Sequence, residues 1–209
     1  GHSGLMNKGE RTRIEILKQS IIYSSQYGLA DITIGTISKL CNMSRTGVIS
    51  HFDNKEDMQV AILQYGETLF TERVIKPAWR EDPLEHVVTL LENWADWTSE
   101  MFKEHQVSCP FVKAVVEFQN RPASKVRTFT IDQQNRLIDY LNHRIQRCIE
   151  QGKLSSTVES VAIAYELYSL YLGHAITQHT VTLHSSDSMF RQSVLRFLEQ
   201  YKTSETSVN

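Results

Sequence analysis

Apolar residues recur at three- and four-residue spacing along almost the whole chain, and no stretch alternates with period two long enough to make a strand. That pattern confines the fold to the all-α class, with about nine helices. Ile14, Leu17 and Ile21 form the first stripe, which Gly28 stops. Thr33 is placed to cap a short helix through Leu40, with Ile34, Ile37 and Cys41 on its inner face. Ser44 is placed to cap a third, running to about His51. Asp53 and Asn54 open a longer helix carrying Met58, Ile62, Tyr65 and Leu69, and Pro77 and Pro83 punctuate the region beyond it.

After Pro83 the pattern changes. Leu84, Val87, Leu91, Trp94 and Phe102 make one apolar stripe while Leu90 and Trp97 lie beside it, so this helix is expected to be central. A short apolar piece follows over 109–119, then a long helix ending near Gly152. Residues 157–180 are apolar nearly all round, a last helix covers about 188–201, and residues 202–209 are expected to fray. The expected organisation is a three-helix head over 6–54 and a larger helical body over 55–202.

Charge divides along the same line. Residues 1–55 carry seven Lys and Arg against four Asp and Glu, whereas the chain as a whole has a net charge of -2. A basic head on an acidic body suits a polyanionic partner. No run approaches eighteen consecutive apolar residues, so no membrane span is expected. Three cysteines without framework spacing fit reduced thiols in a cytoplasm. The N-terminus lacks an apolar signal core, and the residues before Met6 are expected to be an expression remnant.

Two short helices joined by a tight turn are the helix-turn-helix signature. Here the turn is Cys41-Asn42-Met43, and Asn42 is the best non-glycine residue for a left-handed backbone. The helix after it, SRTGVISH, is short and polar on its outer face, as insertion into the DNA major groove requires. Gly47 is a poor helix residue whose lack of a side chain permits close backbone approach to DNA.

The run GLADITIGTISKLCNMSRTGVISHFDNKEDM, residues 28–58, resembles the DNA-binding head of the TetR family of repressors. Gly28, Thr33, Ile37, Ser44, Gly47 and the stretch from His51 to Asp57 carry the likeness, and CPFVKAVVEFQNRP resembles a segment found in one subset of these regulators. Two departures stand out. Cys41-Asn42-Met43 replaces the common Ala-Gly-Val, which preserves the turn, and Ile49 stands where the family often has a phosphate-binding tyrosine. On this footing Thr33, Ser50 and Lys55 are expected to address phosphates, and His51 the DNA backbone rather than a base. Ser44, Arg45, Thr46 and Gly47 face the groove, with Arg45 as the guanine reader. Thr33 and Ser44 have helix capping as an equal or additional role.

The resemblance implies a dimer built from the last two helices and a small-molecule ligand in the body that releases operator DNA. Leu167, Leu170, Tyr171, Ala175, Phe190 and Phe197 are the apolar surplus expected at the dimer interface, burial within the monomer being the alternative. Trp94, Trp97, Phe102, Phe111, Phe118, Tyr165 and Tyr168 are candidate pocket aromatics, against plain core packing. Glu117 and His143 are the polar candidates, and Glu117 has a surface position or a partner such as Arg121 as alternatives. No catalytic residue, metal ligand or cofactor site is expected: HExxH, P-loop and GxSxG patterns are absent, and His174 and His179 are spaced wrongly for a shared metal. Cys109 with His105 nearby suggests a thiol nucleophile, but Cys109-Pro110 reads better as a helix start with a buried thiol, and Cys109 is also the candidate redox sensor. A helical protein-interaction adaptor is the competing function, and it leaves the basic head unexplained.

Overall fold

The computed structural model describes residues 5–103, 107–180 and 186–204. Among these the chain forms nine α-helices and no strand: α1 Lys8–Tyr27, α2 Ile34–Cys41, α3 Arg45–Ile49, α4 Lys55–Phe70, α5 Pro83–Met101, α6 Pro110–Phe118, α7 Lys125–Glu150, α8 Ser160–Thr180 and α9 Ser186–Glu199. A π-helical turn at Thr71–Ile75 and a 3-10 turn at Lys76–Ala78 lie between α4 and α5. The residues gather into two compact units, the described parts of Gly1–Leu69 with Glu104–Ile131, and of Phe70–Lys103 with Asp132–Asn209. The three-helix head expected over 6–54 lies in the first unit, which it shares with most of α4, with α6 and with the start of α7.

In the first unit, Asn7 caps α1 by accepting the Glu10 N–H at 2.8 Å while its amide reaches the Glu10 carboxylate at 3.1 Å. Ile16, Leu17 and Ile21 turn inward, and the buried serines Ser20, Ser24 and Ser25 spend their hydroxyl protons on carbonyls one turn back. The helix stops at Gly28, whose φ of 96° is adopted at little cost only by glycine. Ile32, Ile37, Val48, Met58 and Ile62 complete a fully buried core.

The second unit is built on α5. Asp82 caps it, accepting the N–H groups of Leu84 at 2.8 Å and Glu85 at 3.1 Å, with Pro83 in the first turn. Burial alone would raise the Asp82 carboxyl, but the two cap N–H groups and Lys153 at 3.5 Å together hold it below its ordinary value. Both apolar faces of α5 are covered, by α8 and α9 and by the turns at 71–78, as expected of a central helix. Phe70 meets Trp94 and Trp97 edge-on at 5.6 and 5.3 Å, and Trp94 lies 4.4 Å from Tyr171. The fraying expected from residue 202 is not seen at Thr203: its hydroxyl donates to the Gly152 carbonyl at 2.8 Å, and Ser155 N–H donates to the Tyr201 carbonyl at 2.7 Å. Residues 205–209 lie outside the described residues.

Arg147 anchors the turn that leads into α5. Its guanidinium covers the Trp79 ring at 4.5 Å and donates to the carbonyls of Arg80 and Glu81 at 3.3 and 2.7 Å. His86 is buried beneath it, and burial together with the charges of Arg144, Arg147 and Arg80 pushes its imidazole below the ordinary value. The folded chain therefore holds His86 neutral while the unfolded chain takes up a proton near about pH 6.5. Stability is expected to fall as pH drops below that value, until the folded imidazole also titrates. His86→Gln should flatten that part of a Tm-against-pH curve, and parallel curves for the two proteins would refute the assignment.

Candidate nucleic-acid interface

The turn between α2 and α3 is held by its own backbone. Asn42 takes φ 52° and ψ 50°, the left-handed conformation the sequence calls for, and its N–H donates to the Lys39 carbonyl at 3.3 Å. Met43 N–H donates to the Ser38 carbonyl at 3.0 Å. The Ser38 hydroxyl then donates to the Met43 carbonyl, closing the turn from the side-chain direction as well. Ser38 was not legible as a turn residue from sequence, because nothing marks a serine that bonds five residues ahead.

Thr33 and Ser44 are helix caps: Thr33 Oγ1 accepts the Thr36 N–H at 3.0 Å and Ser44 Oγ accepts the Gly47 N–H at 3.0 Å. Both side chains are exposed and keep lone pairs free of those bonds. Gly47 has a local reason for its identity, since an added Cβ would stand 3.2 Å from Ser44 Oγ and 3.3 Å from the Met43 methyl. Helix α3 ends at Ile49, short of the expected His51, and Ser50 donates its hydroxyl proton to the Gly47 carbonyl at 2.7 Å. As placed, that proton faces the helix and not a phosphate, so Ser50 reaches one only by turning its hydroxyl outward.

Arg45 and Thr46 are exposed on the first turn of α3, and the Arg45 guanidinium lies over Gly35, where an added Cβ would meet its Nη2 at 3.0 Å. Ile49 is 53% exposed on the same helix. His51 is half-buried with its ring 6.3 Å from Phe52, which in turn lies beneath the Arg13 guanidinium at 4.9 Å. Asn54 caps α4 by accepting the Asp57 N–H at 2.9 Å. Lys125 engages the acids beside it, donating its N–H to Glu56 at 3.1 Å and its ammonium to Asp57 at 3.2 Å, while Lys55 stays exposed.

The candidate pocket residues are divided between the two units. Phe111, Glu117 and Phe118 belong to the first unit, and Trp94, Trp97, Phe102 and Tyr168 are buried in the second. Glu117 accepts the N–H groups of Leu29 at 2.8 Å and Ala30 at 3.2 Å, so both oxygens are engaged with backbone instead of lining a cavity. Arg121, its alternative partner, lies over the Phe118 ring at 5.3 Å. His143 is exposed on α7 and Tyr165 is 64% exposed on α8. Sequence reasoning missed a buried polar chain beside the aromatics: Tyr168 OH donates to Gln134 Oε1, and Gln134 Nε2 donates to Gln133 Oε1 at 2.7 Å. Gln133 is 1% exposed, and its own Nε2 has no acceptor among the described residues.

Four of the expected interface residues point the other way. Leu167, Tyr171, Ala175 and Phe190 are buried in the second unit's own core, because α8 uses that side to cover α5. Leu170 and Phe197 remain half-exposed. The outward face of α8 instead carries Val161, Tyr165, Gly173 and Ile176, with Met189 on α9, and a groove of about 270 Å³ opens between the two helices beside Gly173. Nothing lies within 4 Å of a Cβ added at Gly173.

Cys109 is buried at the start of α6, and His105 lies outside the described residues. The buried Cys148 thiol is pushed up to about 12, mainly by burial and then by Asp82, which suits an inert thiol. Among the described residues no three His, Cys, Asp or Glu side chains gather where they would hold a metal, and no helix is long and apolar enough to cross a membrane.

Residues 83–194 match the family model described as the Tetracyclin repressor-like, C-terminal domain, which leaves the helix-turn-helix outside the match. Several solved structures share the fold. A TetR transcriptional regulator from Chloroflexus aurantiacus J-10-FL is 16% identical with a TM-score of 0.81, covering 94% of this chain and 98% of its own. AibR in complex with isovaleryl coenzyme A and operator DNA is 18% identical with a TM-score of 0.70, covering 90% and 97%. A transcriptional regulator from Saccharomonospora viridis in complex with choline is 21% identical with a TM-score of 0.75, covering 91% and 96%. No curated protein matches the chain in sequence.

Proposed function

This chain belongs to the TetR family of transcriptional regulators, and from that premise we propose that it is a dimeric repressor that leaves its operator when a small molecule binds in the body. The observation that carries the DNA half is the α2–turn–α3 geometry. Asn42 and Ser38 hold the turn rigidly, and α3 offers exposed Arg45 and Thr46 on a helix short enough to enter a major groove. Residues 6–54 are the DNA-binding part in this reading, and 55–202 carry ligand and partner. Operator binding sets the working compartment as the cytoplasm.

A gel shift on duplex DNA from upstream of the protein's own gene, at low salt where phosphate contacts are strongest, tests the proposal. Absence of a shift there would favour a protein-only adaptor. Arg45→Ala is expected to cost about 1–3 kcal/mol of specific binding and to relax sequence preference. Equal losses on specific and random duplexes would remove the base-reading role of Arg45. Ile49 makes no phosphate hydrogen bond, so Thr33 and Lys55 carry the phosphate contacts beside it.

For the body, the chain of bonds that starts at Tyr168, whose ring lies 6.4 Å from that of Trp94, runs through Gln134 and ends on a buried donor of Gln133 that lacks an acceptor among the described residues. A ligand oxygen would satisfy that donor, and leaving it unsatisfied is costly. AibR is a relative of the same fold that binds both a small molecule and operator DNA. Release requires that the ligand bind the two states of the protein with different affinity, since equal affinity shifts nothing.

The partner surface is the outward face of α8 with α9. Val161, Tyr165 and Ile176 are exposed along α8, and Met189 of α9 lines the opening at Gly173, where a helix of a second copy can approach closely. One head makes too few base contacts for selective binding, and a two-fold pair doubles them.

A further inference from the structure

Within one compact unit, helix α6 is tied at three places, two on the DNA-binding head and one on α4. Ahead of the helix, Ser108 N–H donates to the carbonyl of Ser25 in the last turn of α1, at 2.9 Å. In its first turn, the Phe111 ring comes within 3.3 Å of the point where a Cβ on Gly66 of α4 would stand. In its last turn, Glu117 reaches the loop between α1 and α2 and accepts two consecutive backbone N–H groups, Leu29 at 2.8 Å and Ala30 at 3.2 Å.

The third tie is specific in a way the others are not. The carboxylate occupies the space that a side chain on residue 28 would fill, since an added Cβ would lie 2.5 Å from Glu117 Oε2. Glycine at 28 is thus required by its φ of 96° and by the carboxylate at once. Among the described residues Glu117 forms no ion pair, so its charge is held by the two N–H dipoles. From the opposite side, the buried Gln59 of α4 donates to the Leu29 carbonyl at 3.0 Å, leaving the loop gripped at both its N–H and C=O groups. The chain from Ala30 then runs directly through Ile32 and Thr33 into α2, the first helix of the helix-turn-helix.

We propose that Glu117 is a positioning residue for DNA binding, a clasp through which α6 fixes the placement of α2 and α3. The inference rests on the DNA-binding reading above. Hydrogen bonds to N–H groups weaken steeply with distance and angle, so a displacement of α6 by about 1 Å opens the clasp, the longer Ala30 bond first. The head then keeps its helices and core, but the entry to α2 is no longer fixed against α6 and α4. Ligand-induced movement of α6 would reach the head by this route.

The test uses the full chain with Glu117→Ala and Glu117→Gln. Alanine removes both acceptors. Glutamine keeps the size and one acceptor, and turns an N–H₂ group toward the second N–H. Backbone amide exchange at Leu29 and Ala30 should accelerate in both, more in the alanine variant. Affinity for upstream duplex DNA, measured well below Tm with full helical content, should fall about tenfold for alanine and less for glutamine, as expected for hydrogen bonds to a charged group. A clasp that only stabilises would lower Tm and speed exchange while leaving the affinity of the folded protein unchanged, and that result overturns the proposal. Unchanged exchange at Leu29 and Ala30 overturns it as well. If the unaltered chain binds no DNA, the DNA reading fails and takes this inference with it, a failure told apart by exchange data that still report the clasp.

Discussion

Gly28→Ala is expected to destabilise the first compact unit by about 3–5 kcal/mol, a large part of the 5–15 kcal/mol that holds a typical domain together. Two costs combine. At φ 96° and ψ 169° the backbone sits in a region populated almost only by glycine, where another residue stores about 1–3 kcal/mol of strain. The new methyl group also stands 2.5 Å from Glu117 Oε2 and 2.9 Å from its carboxyl carbon, so the carboxylate must leave its two N–H partners. Those partners lie on buried Leu29 and Ala30, which have no water to turn to. Gly152 supplies the internal comparison: it also has positive φ, at 73°, but nothing lies within 4 Å of an added Cβ. Gly152→Ala is expected to cost only the left-handed penalty of about 1–2 kcal/mol. Urea denaturation of the two variants should separate them clearly. Equal losses would mean that Glu117 yields its place freely and that the loop is held by its apolar contacts alone.

The contrast between these two glycines also marks where sequence reasoning stops. Gly28 is readable as the end of a helix because the stop signal is local: an apolar stripe, then glycine, then a threonine cap. The whole head is legible for the same reason. Thr33, Asn42, Ser44 and Asn54 each act within five residues of themselves, and the structure finds each in its capping or turn geometry. Glu117 bonds a residue 88 positions away and does so with backbone N–H groups, which every residue but proline has. No partner type marks such a pairing in a sequence, so the glutamate inside AVVEF reads equally as pocket, surface or ion pair. Gln59 and the Tyr168–Gln134–Gln133 chain escape notice for the same reason.

Helix α8 shows a different limit. Its apolar residues surround the axis, so periodicity establishes a helix and cannot say which side meets its own core. Leu167, Tyr171 and Ala175 face inward, and Tyr165 and Ile176 face outward, yet both sets are spaced like a buried stripe. Only the packing of α8 on α5 resolves the two. A helix apolar on both sides implies two covered faces: one face meets α5, and the other is the surface proposed above for a partner.

Ile176→Asp is the sharpest probe of that second face. The side chain is 52% exposed in the single chain, and aspartate and isoleucine differ little in helix propensity, so the fold of the monomer should lose about 0.5 kcal/mol or less. In a two-fold dimer each substitution appears twice, and two carboxylates would be drawn from water into an apolar contact without cationic partners. Among the side chains of the proposed interface, Tyr165, Leu170 and Met189 carry no charge. Burial of unpaired charge costs several kcal/mol, so the dimer is expected to weaken by about a thousandfold or more. Sedimentation should find the unaltered chain dimeric and the variant monomeric at the same micromolar concentration, with the same circular dichroism and nearly the same Tm. Specific DNA affinity should then fall by a larger factor than with Arg45→Ala, because a whole half-site is lost instead of one base contact. Tyr27→Asp, at a 70% exposed position on α1, should leave the sedimentation result unchanged and controls there for added charge. A variant that stays dimeric would move the interface off the α8 face, and the exposed stripe there would need another occupant.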